Sequence, residues 1–263
     1  MATSHSEGPA LASDDRRRFL RFLGAGTLAV GAAGTLAACD SSEANFNTPP
    51  INNPNPNPNP DPDPDPDPDP AGVVFDFSSP VGVLNYAYAL EQLEAAFYGL
   101  VTGLSNFTTL FPNPDEQQLL RDLAAHEGIH RDFLAAAIDF TGAGNRIIDL
   151  TPNPDAFDLS TRSSILSLAL TFEDLGVAAY NGAGQYIPDT AATNPYLTLA
   201  GKIVSVEARH AAAIATALDT GSTSVLGGAN VINPQGLDRA LRPRDVLDAA
   251  QTYVLNPLDA DND

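Results

Sequence analysis

Scarcity shapes this sequence. In 263 residues it has no tryptophan, one cysteine (Cys39) and one lysine (Lys202). A single cysteine excludes an intramolecular disulfide, and beyond residue 39 it excludes any thiolate metal site or cysteine nucleophile. Positive charge is scarce too: 13 Lys+Arg face 33 Asp+Glu, a formal net charge of −20. Such a surface repels nucleic acid and anionic lipid, so neither is an expected partner. Glutamate is rare beside aspartate, 8 against 25. No stretch shows convincing strand alternation, which leaves helix as the expected secondary structure.

The first 38 residues read as an export signal. Arg16-Arg17-Arg18-Phe19-Leu20-Arg21 resembles the twin-arginine pattern, and the Gly- and Ala-rich apolar run Phe22–Ala38 follows it. That run ends in Leu36-Ala37-Ala38-Cys39, which resembles a bacterial lipobox. In such proteins cleavage precedes the cysteine, which then carries the lipid. The expectation is a lipoprotein exported by the twin-arginine route, anchored to the membrane through Cys39 and facing the periplasm or cell surface. Twin-arginine export carries proteins that fold, often with a cofactor, before they cross.

Residues 39–70 read as a disordered linker. From Asn53 to Pro70 the chain runs through four Asn-Pro pairs and then five Asp-Pro pairs. Proline at alternate positions removes every second amide donor and favours extended backbone, so neither helix nor sheet forms. At about 3.1 Å per residue such a tether reaches far from a membrane.

Residues 71–263 read as one folded domain, large enough for one substantial core. Ser79-Pro80, Asn113-Pro114 and Asn194-Pro195 each place a capping side chain before a proline, a strong helix start. Asp158 or Ser160 is expected to open a further helix. The predicted long helices run to about Gly103, Phe140, Tyr186 and Asp219, with a short fifth from Pro243 to near Val254. Short connections join the first pair and the last pair, and a longer one over about 141–157 separates the pairs. Two hairpins and a long crossover make a ferritin-like four-helix arrangement.

Six glutamates lie beyond residue 70, and Glu91, Glu94, Glu127, Glu173 and Glu207 fall in mid-helix among apolar residues. Glu127-Gly128-Ile129-His130 and Glu207-Ala208-Arg209-His210 repeat an E-x-x-H spacing. Residues at i and i+3 share a helix face, so each carboxylate and imidazole can reach one point, as metal donors do. Each E-x-x-H follows a helix with its own Glu and, seven residues on, a Tyr: Glu91 with Tyr98, Glu173 with Tyr180. The two halves read as an internal repeat. Buried carboxylates are costly unless paired or metal-bound. Two divalent ions would balance four of them.

The pattern resembles the ferritin-like di-iron carboxylate superfamily. It is most similar to ferritin-like domain proteins of the desiccation-related group, through Leu90–Tyr98 and the tail Leu241–Leu247. The resemblance implies that Glu127 and Glu207 bridge two metals, that Glu91 and His130 complete one, and that Glu173 and His210 complete the other. Glu94 is the alternative or additional first-helix ligand, and Glu91 is preferred because Glu94 would align with Gly176. Tyr98 and Tyr180 resemble partners that orient the carboxylates, with ordinary core packing as the other reading. His126 reads as a polar neighbour of the site.

Four carboxylates and two imidazoles suit iron or manganese, with zinc as an alternative occupant. Three functions stay open: a redox enzyme acting on peroxide or dioxygen (ferroxidase-, peroxidase- or manganese-catalase-like), a metal-binding protein without turnover, and a structural desiccation-stress protein. An iron-storage shell suits an anchored chain poorly, though a homodimer remains compatible. Cys39→Ser should move the protein from the membrane fraction to the soluble fraction, because thioether lipidation needs the thiol. Retention on the membrane would show that Phe22–Ala38 anchors it uncleaved.

Overall fold

A computed structural model describes residues 70–142, 144–190, 193–218 and 231–263; the signal, lipobox and linker readings lie outside these residues. Four long helices dominate: α1 (Pro80–Gly103), α3 (Pro114–Thr141), α4 (Arg162–Ala183) and α5 (Asn194–Ala217). A single turn, α2 (Phe107–Leu110), interrupts the first connection, and α6 (Pro243–Ala250) follows the bundle. The fold is an all-α bundle. α1 packs along α3 and α4 along α5, while α1 meets α4 and α3 meets α5. No helix among the described residues is long and apolar enough to cross a membrane.

The helix starts follow local chemistry. The Ser79 hydroxyl accepts from the Val81 amide at 3.2 Å, and the Asn113 side chain accepts from the Asp115 amide at 3.0 Å. Both satisfy amides that no earlier turn can reach. Two expected starts are corrected. α4 is capped by Thr161, which forms a reciprocal capping box with Ser164, and not by Asp158 or Ser160. Asp158 instead accepts from Ser160 in a turn just before the helix. α5 begins with Asn194 already helical, behind Thr193.

Two short strands, not signalled by the sequence, accompany the all-α bundle. β1 (Val73–Asp76) pairs in parallel with β2 (Leu258–Asp261), Val73 opposite Leu258. Each has four residues, too few for a period of two to stand out in a sequence. The pairing ties the start of the domain to its end. Asn256 extends the tie: its side chain donates to the Ala71 carbonyl at 2.9 Å and accepts from the Thr151 amide at 2.7 Å.

The crossover between α3 and α4 is held by buried amide side chains on α1. Asn85 donates to the Asn145 carbonyl at 2.7 Å and accepts from the Ile147 amide at 2.9 Å. Two turns further along α1, Gln92 accepts from the Leu150 amide at 2.7 Å. These bonds lay the crossover along α1, so α4 and α5 dock as a second hairpin against the first. Phe97, Phe157, Phe172 and Tyr253 close the core beside this junction through edge-to-face and stacked contacts.

Close approach sets the glycine at 182 on α4. Leu241 donates its amide to the Ala178 carbonyl at 3.1 Å, pressing the C-terminal segment onto α4. A Cβ on Gly182 would lie 1.7 Å from the Leu241 carbonyl oxygen. Gly182→Ala should therefore destabilise the fold by about 1–3 kcal/mol, as overpacking does. Gly99, also helical, has nothing within 4 Å of that position, so Gly99→Ala should stabilise by roughly 0.5–1 kcal/mol. Thermal unfolding of the two variants reads the opposite signs.

Candidate metal centre

Each long helix contributes one fully buried glutamate: Glu91 on α1, Glu127 on α3, Glu173 on α4 and Glu207 on α5. All four have no exposed surface. The i,i+3 spacing sets His130 beside Glu127 and His210 beside Glu207 on the same helix faces. Two groups result, Glu91–Glu127–His130–Glu207 and Glu127–Glu173–Glu207–His210, each with donor atoms within 4.8 Å of one another. Glu127 and Glu207 belong to both.

The shared carboxylates divide their oxygens between the two imidazoles. His130 Nδ1 lies 2.9 Å from Glu207 Oε1, 3.2 Å from Glu127 Oε2 and 3.5 Å from Glu91 Oε2. His210 Nδ1 lies 2.8 Å from Glu127 Oε1, 3.3 Å from Glu173 Oε2 and 3.5 Å from Glu207 Oε2. Eight buried side-chain polar atoms among the described residues lack a hydrogen-bond partner in good geometry. Six of them are here: Glu91 Oε2, Glu127 Oε1, Glu173 Oε2, both Glu207 oxygens and His210 Nδ1. Each such atom costs about 1–3 kcal/mol if nothing binds it. Carboxylate oxygens and imidazole nitrogens thus crowd one shared space, and that donor set fits a pair of divalent cations.

The tyrosines complete the pattern crosswise. Tyr98 donates to Glu173 Oε1, and Tyr180 donates to Glu91 Oε1 at 2.5 Å. Each phenol occupies one oxygen of the opposite half's glutamate, leaving Oε2 as the atom that faces a histidine. Burial and then the adjacent carboxylates push both phenol pKa values up, so they stay protonated donors.

Residues 79–220 match the family described as a ferritin-like domain. The chain belongs to that family. No curated protein matches it. The ferritin-like match starts at the cap of α1 and ends just past α5, so it covers every residue of the cluster and leaves β1, α6 and β2 outside.

Without metal, the ferritin-like cluster neutralises itself. Burial pushes the Glu91 carboxyl up to about 8, helped by the charges of Glu207 and Glu127 against the His130 hydrogen bond. Burial likewise raises Glu173 well above the carboxylate range. Burial opposes charge on the shared pair Glu127 and Glu207 as well, but hydrogen bonds from His130 and His210 outweigh it, holding Glu127 at about 2 and lowering Glu207. The imidazoles resist their own burial through the same bonds and rise to about 12 at His130 and about 11 at His210. At neutral pH two carboxylates and two imidazoliums are therefore charged, while Glu91 and Glu173 are neutral.

Two residues break the symmetry of the halves. Glu94, buried at 4% exposure, belongs to neither four-residue group. A Cβ at Gly176 would lie 3.0 Å from Glu94 Oε1, so the missing side chain on α4 makes room for this carboxylate. Burial, then the charges of Glu207 and Glu91, push its pKa well up. His126 is exposed, and its Nδ1 lies 3.0 Å from His210 Nε2. The sequence marked His126 as a neighbour without indicating which ligand it touches.

The protonation pattern sets the pH response. Glu91, raised from 4.5, stabilises the metal-free fold fully below about 4.5, and this is lost as pH rises through 8. The imidazoles, raised from 6.5, stabilise fully below 6.5 and progressively less above it. Glu127 and Glu207, lowered from 4.5, stabilise above that value and lose this as pH falls. The metal-free protein should thus be most stable near pH 4.5 and weaken toward pH 8, more steeply above 6.5. Metal binding must expel the protons of His130, His210, Glu91 and Glu173, so it should strengthen in the same direction. Calorimetric titration at pH 7 in two buffers of different ionisation enthalpy should show release of about four protons per filled pair.

Proposed function

We propose that Glu91, Glu127, His130, Glu173, Glu207 and His210 hold two divalent ions, iron or manganese with zinc as an alternative occupant. We propose further that the centre carries out redox chemistry on peroxide or dioxygen at the cell envelope. The observation that carries this is the division of Glu127 and Glu207, one oxygen toward each histidine, around a space lined by unpartnered lone pairs. In this reading Glu127 and Glu207 would help to hold both ions. Glu91 and His130 belong to one ion, Glu173 and His210 to the other. The exchange is charge-neutral: four protons leave as four positive charges enter.

The bound pair would supply the electron-transfer capacity that reduction of peroxide or dioxygen requires. The chain's own residues bind, orient and exclude. Tyr98 and Tyr180 hold Glu173 and Glu91 in the orientation that presents Oε2 inward. The surrounding core keeps bulk water from the carboxylates. His130 retains 12% side-chain exposure, so its imidazole edge is where a small oxidant meets the centre. Export through residues 1–38 and a lipid on Cys39 would place that chemistry outside the cytoplasm, on a tether of residues 39–70.

A structural reading draws on a different observation. The cluster takes one glutamate from each long helix, so a metal pair would staple the whole bundle, as a desiccation-stress protein could use. Turnover separates the readings. Protein loaded with Fe(II) or Mn(II) should consume peroxide or drive oxidation of added Fe(II) by dioxygen. Glu127→Ala or Glu207→Ala should lower the metal content from two toward one or zero and remove that activity. His130→Ala or His210→Ala should weaken only one ion each. Two tightly held ions without turnover would leave the structural role, and absence of metal from the native protein together with no metal-dependent shift in Tm would overturn the site.

A further inference from the structure

We infer that His126 is a positioning residue for one metal position only, the one served by His210, and that it makes the two halves of the centre inequivalent. The inference rests on the di-metal reading above and goes beyond it.

His210 turns Nδ1 toward Glu127, Glu173 and Glu207, and its far nitrogen Nε2 lies 3.0 Å from His126 Nδ1. The ring centroids are 5.2 Å apart and the planes differ by 22°. The centroid separation exceeds the nitrogen–nitrogen distance by roughly two ring radii, so the rings meet edge to edge in a common plane. That is hydrogen-bond geometry, not face stacking. An imidazole that offers its Nδ1 lone pair to a cation carries its proton on Nε2. His210 Nε2–H therefore donates, and His126 Nδ1 accepts, which leaves the His126 proton on Nε2. The bond fixes both the tautomer and the ring orientation of His210.

Among the described residues, no second histidine stands behind His130 in this way. His126 precedes Glu127, and the residue in the same place before Glu207 is Val206, which has no acceptor. The repeat that makes the ligands equivalent therefore fails at this pair of positions. His126 stands on α3 and His210 on α5, so the bond also spans the seam between the two hairpins. His126 is exposed, and replacing it removes the bond without opening the core.

Partners of this kind contribute about 10–100-fold to metal affinity. Titration of wild type with Mn(II), followed by electron paramagnetic resonance, should show two ions bound with unequal affinity. His126→Phe should weaken one of them by about 10–100-fold and leave the other unchanged. His126→Gln, whose side-chain oxygen can accept, should restore most of the loss. In a double-mutant cycle His126→Phe should add nothing on a His210→Ala background and should weaken the remaining ion on a His130→Ala background. In the zinc-loaded protein, nitrogen NMR should find the His210 proton on Nε2, bonded to His126.

Unchanged or equally weakened affinities in His126→Phe would overturn the inference, as would failure of His126→Gln to rescue. Failure of wild type to bind any metal would instead overturn the di-metal reading, and this inference with it. The Tm of metal-free His126→Phe and His126→Gln should stay close to wild type, which keeps a folding defect from imitating the effect.

Discussion

Four glutamates stripped of water at the middle of one helical bundle are the constraint on which this structure depends. Taking such carboxylates out of solvent costs several kcal/mol each, and placing them beside one another adds repulsion. The fold answers with protons and with two histidines. Glu91 and Glu173 are held neutral, Glu127 and Glu207 are held charged, and the two imidazoliums balance them. The result is neutral yet leaves several lone pairs unpartnered. A site of this kind is tolerable without metal and complete only with positive charge in its centre.

The rest of the architecture serves that point. The crossover is laid along α1 by Asn85 and Gln92, which lets the second hairpin dock with Glu173 and Glu207 facing Glu91 and Glu127. Docking makes the tyrosines work in trans: Tyr98 from the first half holds Glu173, and Tyr180 from the second holds Glu91. The strand pair and Asn256 then fasten the two ends of the domain together outside the bundle. None of these outer contacts touches the centre.

The internal repeat is a scaffold on which asymmetry has been placed. The Glu94 carboxylate sits where Gly176 offers space, and its counterpart position has no acid at all. His126 meets His210, while Val206 has nothing to offer in return. Both departures are visible as letters in an alignment of one half against the other. Their meaning is not visible, because a mismatch in a repeat shows neither direction nor distance.

Much of this protein is legible without coordinates. Proline behind Ser79 and Asn113 opened helices where local chemistry requires, since capping and a locked backbone angle act within one turn. The doubled E-x-x-H, each preceded by a helix with Glu and Tyr, named the residues that meet, because helix periodicity alone sets which side chains share a face. The start of α4 at Thr161 was missed because several capping residues stood in a row, and only the reciprocal bond with Ser164 selects among them. β1 and β2 were missed because a parallel pair between residues so distant in the chain has no local signature. Sequence by itself thus determined the helices, the apolar lining and the donor set, all properties of neighbours within a few residues. Tertiary structure alone decided which oxygen faces which histidine, which tyrosine holds which glutamate, and that His126 meets His210. Those pairings depend on how two separately formed hairpins dock, and docking is fixed by packing and hydrogen bonds across the chain.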